Sequence, residues 1–450
     1  MIDFGELPVF ADAATFPTIV LARKIPPTSK PTLFAKIQSL GFASLEAAVQ
    51  EHPIYIDQTR FQEENWQLTG DEATQLLEKL KQNTVPLGDY VEDKLFRGVL
   101  TGLNEAFVID RATRNRLIAE DPASAEVIKP FVVGDNVRHY QIDFEERYVI
   151  VIPKGATRYP FIKAAFDEEV RFAEEKGIVI QNLDKMWRRL DRTIVVPYEI
   201  ALASISKKYP VIIRHLKRYE EEAINRTDKG DFWWELRACD YYEEFDKLKI
   251  IFPDIAKEPR MSFDRNGLYM GNTAYFIPTE DVSLLAILNS KLIFFYFSRN
   301  ATVLGDMDKG GRLRWFRQDV ERIPIAQPTD TQRAELAALA NQMLTLSAQV
   351  QKQTHQLAEL LQTDLGVAKL TEKLLHWPAL DWPGLQTELK KQKVEIPLKR
   401  RAEWQSFFVD ERAAVLALQT RRTDTDAQID ALVYALYGLT DAEIKIVAGR

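Results

Sequence analysis

Asp264-Arg265-Asn266-Gly267 reads as an Asn-Gly hairpin that projects a guanidinium and an amide from a defined strand pair. Held rigidly, such groups donate to phosphate oxygens and to the edges of nucleobases. On these residues alone, an ordinary solvent-exposed turn is the simpler reading. Arg299, Asn300, Lys309, Arg312, Arg314 and Arg317 form a second set, interrupted by Gly305 and Gly310-Gly311. Several cations there share one loop, able to order on a polyanion or to remain an unstructured surface. Arg226 and Lys229 sit at the Asp228–Gly230 turn, and Arg138 follows the turn Gly134-Asp135-Asn136. These three have the chemistry of phosphate contacts. Trp233-Trp234 could stack on bases, although paired tryptophans are more often core anchors. Asn104, between Gly102 and an apolar run, has as its commoner fate a hydrogen bond within its own turn.

Few other residues suggest catalysis. The single cysteine, Cys239, excludes a disulfide framework and a cysteine-based zinc cluster. The five histidines are scattered without ligand spacing. Glu168, Glu169 and Asp191 could pair for acid–base work. Asp381 with Glu388-Leu389-Lys390 has the residue types of a magnesium-dependent nuclease, but solvated helix surface is the simpler reading of that Lys-rich stretch. No metal site and no cofactor is expected in this chain.

Those residues need a scaffold, and 450 residues with 46% hydrophobic content supply two or three domains with real cores. Lys plus Arg is 59 against 66 Asp plus Glu, a net charge of −7, which argues mildly against a nucleic-acid partner. Local distribution decides, because exposed charges are screened beyond a Debye length. Basic clusters at Arg188–Arg189, Lys207–Lys208, Lys217–Arg218 and Arg312–Arg317 alternate with acidic ones at Asp167–Glu175, Glu220–Glu222 and Glu243–Glu244. A positive groove is permitted. The N-terminus lacks a signal-peptide pattern, and the most apolar window, Leu284 to Phe297, is too short to span a bilayer. A soluble cytoplasmic protein is expected.

Residues 1–25 read as two short strands, and 26–90 as a Pro-rich linker, PPTSKP, with a helix over Asp71–Gln82. Residues 91–327 alternate strands and helices. Strands are expected at Ala106–Ile109, Val127–Val133, Tyr148–Ile152, Ile178–Ile180, Lys249–Phe252 and Ala274–Pro278. Helices are expected at Phe161–Glu175, Asp184–Arg192, Pro210–Asn225 and Val282–Phe297. From 328 onward the pattern changes. Leu336, Met343, Val350 and Leu357 recur every seven residues, with Leu339, Leu346 and Leu360 as a second row and Gln353 breaking it. Thr329 with Gln332 and Thr440 with Glu443 have capping-box spacing, and Gly438 would stop a helix over Asp426–Tyr437. The fold class is therefore α+β, a mixed α/β unit followed by a helical, coiled-coil-like module.

Five stretches carry a resemblance. LFRGVLTGLNEAFVID with RNRLIAEDPASAEVIKPFVVGDNVRHY runs through residues 95–140. RYEEEAINRTDKGDFWWELRACDYYEEFDKLKIIFPDI spans Arg218 to Ile255, and MSFDRNGLYMGNTAYFIPTEDVSLLAILNSKLIFFYF spans Met261 to Phe297. GGRLRWFRQDVERIP starts at Gly310, and DAQIDALVYALYGLTDAEIKIV starts at Asp426. In this order they resemble the target-recognition and C-terminal part of type IIG restriction–modification enzymes and their adenine-specific DNA methyltransferase relatives. The resemblance covers most of residues 90–450.

It implies strands closing a methyltransferase domain at 1–25, a DNA target-recognition domain at 91–327 and a helical C-terminal module at 328–450. Double-stranded DNA and a methyltransferase domain or subunit would be the partners, within a phage-defence system. The S-adenosylmethionine Gly-rich loop and the Asn-Pro-Pro-Tyr motif of the family are absent here. Pro26-Pro27, between Ile25 and Thr28, cannot replace the latter. S-adenosylmethionine and transfer to adenine N6 are accordingly expected of the complete enzyme, not of this chain. Two other readings stay open: a protein–protein scaffold built on the heptad helix, and an enzyme with an unfamiliar site.

Overall fold

The computed structural model describes residues 1–5, 7–10, 17–24, 30–51, 53–58, 71–304 and 311–449. At its centre the run KIIFP forms the strand Lys249–Pro253, every residue of which is buried. Successive side chains of a strand point to opposite faces. Ile250 and Phe252 therefore enter one core with Tyr275 and Ile277, while Ile251 and Phe276 enter a second. This two-sided burial is why the strand and its neighbour Ala274–Pro278 read as unbroken apolar runs. The sheet is antiparallel, in the order Ser262–Asp264, Lys249–Pro253, Ala274–Pro278, Phe96–Arg97.

A second four-stranded sheet, ordered Tyr269–Met270, Ile128–Val132, Arg147–Ile150, Val108–Asp110, belongs to the second core. Between the sheets the backbones nearly touch. A Cβ built at Gly98 would stand 2.1 Å from the carbonyl oxygen of Gly271, so only glycine fits there. Helices Tyr198–Lys208 and Pro210–Leu216 close the second core, together with the buried pair Trp233 and Trp234. Both tryptophans are core residues. The first core takes Leu76, Leu77 and Leu80 of the helix Asp71–Lys81, and the helices Val282–Asn289 and Lys291–Asn300.

The helical part begins at Asp330–Thr363, whose N-terminus is closed by the expected Thr329–Gln332 capping box. Its partner is Arg401–Leu436. Near one end Leu336, Ala340 and Met343 join Ile429 and Val433 in the first core. Toward the other, Val350, Leu357 and Leu361 meet Trp377, Leu385, Trp404 and Phe408 in a third. The first heptad row is buried throughout, whereas Leu360 is exposed and Leu361 takes its place inside. A straight helix drifts relative to a seven-residue repeat, which moves the apolar seam by one position. Gly438 ends the second long helix with φ of 63°, and the Thr440–Glu443 capping box opens the last helix, Asp441–Val447.

Several expectations need correction. Residues Asn104–Phe107 form a helical turn, and the strand starts at Val108. Asn104 accepts from the Thr101 hydroxyl at 2.6 Å inside that turn. Ile178–Ile180 is not a strand, and Ile178 and Val179 face solvent. Val282–Phe297 is two helices bent by 62° at Ser290, whose hydroxyl caps the second. No single described helix is long and apolar enough to cross a membrane, and this bent pair lies in the core. Pro210–Asn225 breaks into a helix, a 3-10 turn and the short helix Glu220–Asn225. The stretch 26–90 also contributes strands Thr32–Lys36 and Ile54–Ile56, which extend a sheet begun by Ile2–Asp3 and Thr18–Ile19. Pro26-Pro27 and most of PPTSKP lie outside the described residues.

His215 gives the second core a pH dependence. It is buried, its Nε2 donates to the Ala106 carbonyl at 3.2 Å, and its Nδ1 faces the Arg218 guanidinium. Burial first, and Arg218 second, hold its pKa down to about 4 against 6.5 ordinarily. Between those values the unfolded chain binds a proton that the fold does not. Stability is therefore complete above about pH 6.5 and falls as pH drops toward 4, by about 2–3 kcal/mol. Urea unfolding across that window should show a shallower loss for His215→Gln than for the parent chain; equal slopes would contradict the assignment.

Candidate nucleic-acid interface

The turn after Ser262–Asp264 is held from below. Lys249 and Asp264 are fully buried, and their side chains meet at 2.6 Å. The ammonium also donates to the carbonyls of Phe245 and Lys247. Burial lowers the Lys249 pKa, and the Asp264 carboxylate opposes that shift. Asp264 accepts in turn from the backbone N–H of Asn266 and of Leu268, each at 2.8 Å. Satisfied on both sides, the pair fixes a turn whose tip, Arg265 and Asn266, is exposed. Gly267, at φ of 65°, completes it. The turn is not the hairpin that Asn-Gly suggests. Ser262–Asp264 pairs in the central sheet, whereas Tyr269–Met270 crosses to the other sheet and runs parallel to Phe131 and Val132.

Arg265 lies 5.1 Å over the Phe263 ring and donates to the Asn341 side-chain oxygen at 2.8 Å. A groove of about 550 Å³ separates the turn from the helix Asp330–Thr363, with Tyr140, Gln141, Phe144 and Gln351 among its walls. Arg138 is half-buried near this groove, its Nε 3.6 Å from Asp143, which also accepts from Gln351 at 2.9 Å.

The second set lies elsewhere. Arg312–Arg314 is the middle strand of a three-stranded sheet, and Arg314 pairs with Ile255 beyond the end of the central strand. Asp264 pairs with Lys249 at the opposite end. The central strand, five residues long at about 3.3 Å per residue, runs between the two sets. Arg265 and Arg314 therefore lie off opposite ends of the central strand, in two separate basic sets. In the second, Arg299 stacks 3.8 Å over Phe295, Asn300 donates to the Tyr296 carbonyl, and Arg314 lies 5.4 Å over Phe316. Arg312 is exposed, and Arg317 pairs with Glu321 at 3.1 Å. Lys309 lies outside the described residues.

Arg226 is no phosphate ligand. Its guanidinium is buried, donates to the carbonyls of Thr101, Trp233 and Glu235, and lies 4.3 Å over Phe107. Burial draws its pKa down to about 10. It staples the 228–236 loop to the 101–104 turn. Lys229 beside it is exposed and donates to the Ile224 carbonyl.

The carboxylates behave as structural groups. Asp381 caps the helix Trp382–Lys391, and Glu388 is held by Lys391 at 2.8 Å and Lys373 at 3.6 Å. Glu169 pairs with Arg189, and Asp191 with Arg158. The sequence reading missed Gln351 on the groove wall and Asn341, which accepts from the Arg265 guanidinium. Attention to the apolar seam hid the amide-rich opposite face of the same helix.

Comparison with known proteins gives two partial matches to family models. Residues 129–325 match the model of the TaqI-like C-terminal specificity domain. Residues 329–433 match a domain of unknown function, DUF8810. Among solved structures, the chain is similar to the type IIL restriction-modification enzyme MmeI, solved in complex with DNA, at 13% identity and a TM-score of 0.38. It is also similar to the type IIG restriction endonuclease BpuSI, at 10% identity and a TM-score of 0.33. These alignments take in 93% and 91% of this chain, and the chain spans 40% of the length of each enzyme.

Proposed function

We propose that this chain, whose residues 129–325 match a TaqI-like C-terminal specificity domain, is the part of a restriction–modification enzyme that recognises its target in double-stranded DNA. The observation that carries the reading is the exposed Arg265–Asn266 tip, within the matched segment, clamped by the buried Lys249–Asp264 pair. An arginine on such a support reads the O6 and N7 of guanine, and an asparagine reads the N6 and N7 of adenine. The set at Arg299, Asn300, Arg312 and Arg314 would grip phosphates beyond the other end of the central strand. On this reading the chemistry, methyl transfer from S-adenosylmethionine to adenine N6 of a flipped base, belongs to a methyltransferase partner. This chain contributes sequence choice and grip.

The test is selection of bound duplexes from a random-sequence pool by the full chain. The expected result is one short enriched motif, which Arg265→Ala relaxes at a single position through a loss of about 1–3 kcal/mol. A pool recovered without any preference would reject sequence recognition.

A further inference from the structure

The helix Asp330–Thr363 presents Asn341, Thr345, Gln349, Lys352 and Gln356 to solvent. Spacings of four, four, three and four residues place them in one stripe. The first four line a depression with Arg265, and the last three line another with Arg421 of the partner helix. Gln349 and Lys352 belong to both, so the two depressions form one groove. Its lining carries Arg265, Lys352 and Arg421 and no carboxylate. From Leu336 to Ala358 the helix has no acidic residue at all, in a chain of net charge −7. A solvated helix surface in so acidic a protein would ordinarily mix both signs.

We propose that this groove holds the sugar–phosphate backbone of the duplex whose bases meet Arg265 and Asn266. Amide, hydroxyl, lysine and arginine donors are the groups that bond phosphate and sugar oxygens. Their stripe from Asn341 to Gln356 is about 22 Å long, which matches roughly six phosphates of one strand. Arg265 joins the groove to the base-reading tip, because its guanidinium bonds Asn341 at the groove's near end. The region matched by the domain of unknown function would thus be a second wall of the DNA site as well as a structural support. This rests on the DNA-recognition reading above.

The experiment is equilibrium binding of the full chain to a labelled duplex over a range of salt concentrations. The parent is compared with Lys352→Ala/Arg421→Ala, with Lys352→Gln/Arg421→Gln, and with Lys390→Ala/Lys399→Ala, whose lysines lie on the same module off the groove. All the substituted side chains are exposed, and circular dichroism checks that each variant keeps its helices. Both groove variants should bind about ten- to a hundredfold more weakly at low salt. Their log–log salt slope should be shallower by about 1.8, near 0.9 for each lost phosphate contact. The selected sequence should be unchanged, and the off-groove variant should match the parent. If the parent binds and the groove variants match it in affinity and slope, the groove assignment is overturned while DNA recognition stands. If the parent itself fails to bind any duplex, the recognition reading falls, and the groove with it.

Discussion

Lys249→Ala is expected to lower the stability of the chain by about 3–5 kcal/mol, the usual loss when one member of a buried ion pair is removed. Asp264 would lose its partner in a site with no exposure to water, and two carbonyls would lose their donor. The backbone bonds from Asn266 and Leu268 to Asp264 would then lean on an uncompensated carboxylate. Lys249→Met/Asp264→Asn should recover part of the loss, because the asparagine oxygen still accepts from the turn without a buried charge. A double-mutant cycle by urea unfolding should give a coupling of a few kcal/mol. A loss below about 1 kcal/mol for Lys249→Ala would mean that the pair behaves as a solvated one.

Arg226→Ala should be comparably damaging, at about 3–5 kcal/mol. It strands the carbonyls of Thr101, Trp233 and Glu235 and opens a void beside Phe107. Arg226→Lys keeps the charge but loses the planar fork that reaches three acceptors at once, so it should still destabilise by about 2 kcal/mol. The contrast is Lys229→Ala, at an exposed position, expected within about 0.5 kcal/mol of the parent. A DNA salt slope that becomes shallower in Arg226→Ala while stability stays unchanged would restore the phosphate role rejected above.

The comparison of these two cations shows where sequence reading worked and where it stopped. KIIFP and AYFIP were legible as strands because two-sided burial leaves unbroken apolar runs. The Thr329 and Thr440 caps were legible because their partners lie three residues away. Arg226 was not, since nothing local tells a solvated arginine from one whose acceptors come from residues 101, 233 and 235. Arg265 and Asn266 were located correctly at an exposed tip, but Asn-Gly suggested a hairpin, and the pairing of Tyr269–Met270 with a strand more than a hundred residues earlier made it a crossover. Another non-local pairing, of Arg314 with Ile255, placed Arg314 beyond the opposite end of the central strand from Arg265, a separation with no local signature.

Everything proposed for this surface depends on its gripping double-stranded DNA through the phosphates. Affinity of the full chain for duplex DNA, followed as ionic strength rises from low to physiological, tests it most directly. A linear fall of log affinity with log salt is expected, with a slope of about −4 or steeper for four or more neutralised phosphates. Absence of binding at the lowest salt, or an affinity indifferent to salt, would contradict it.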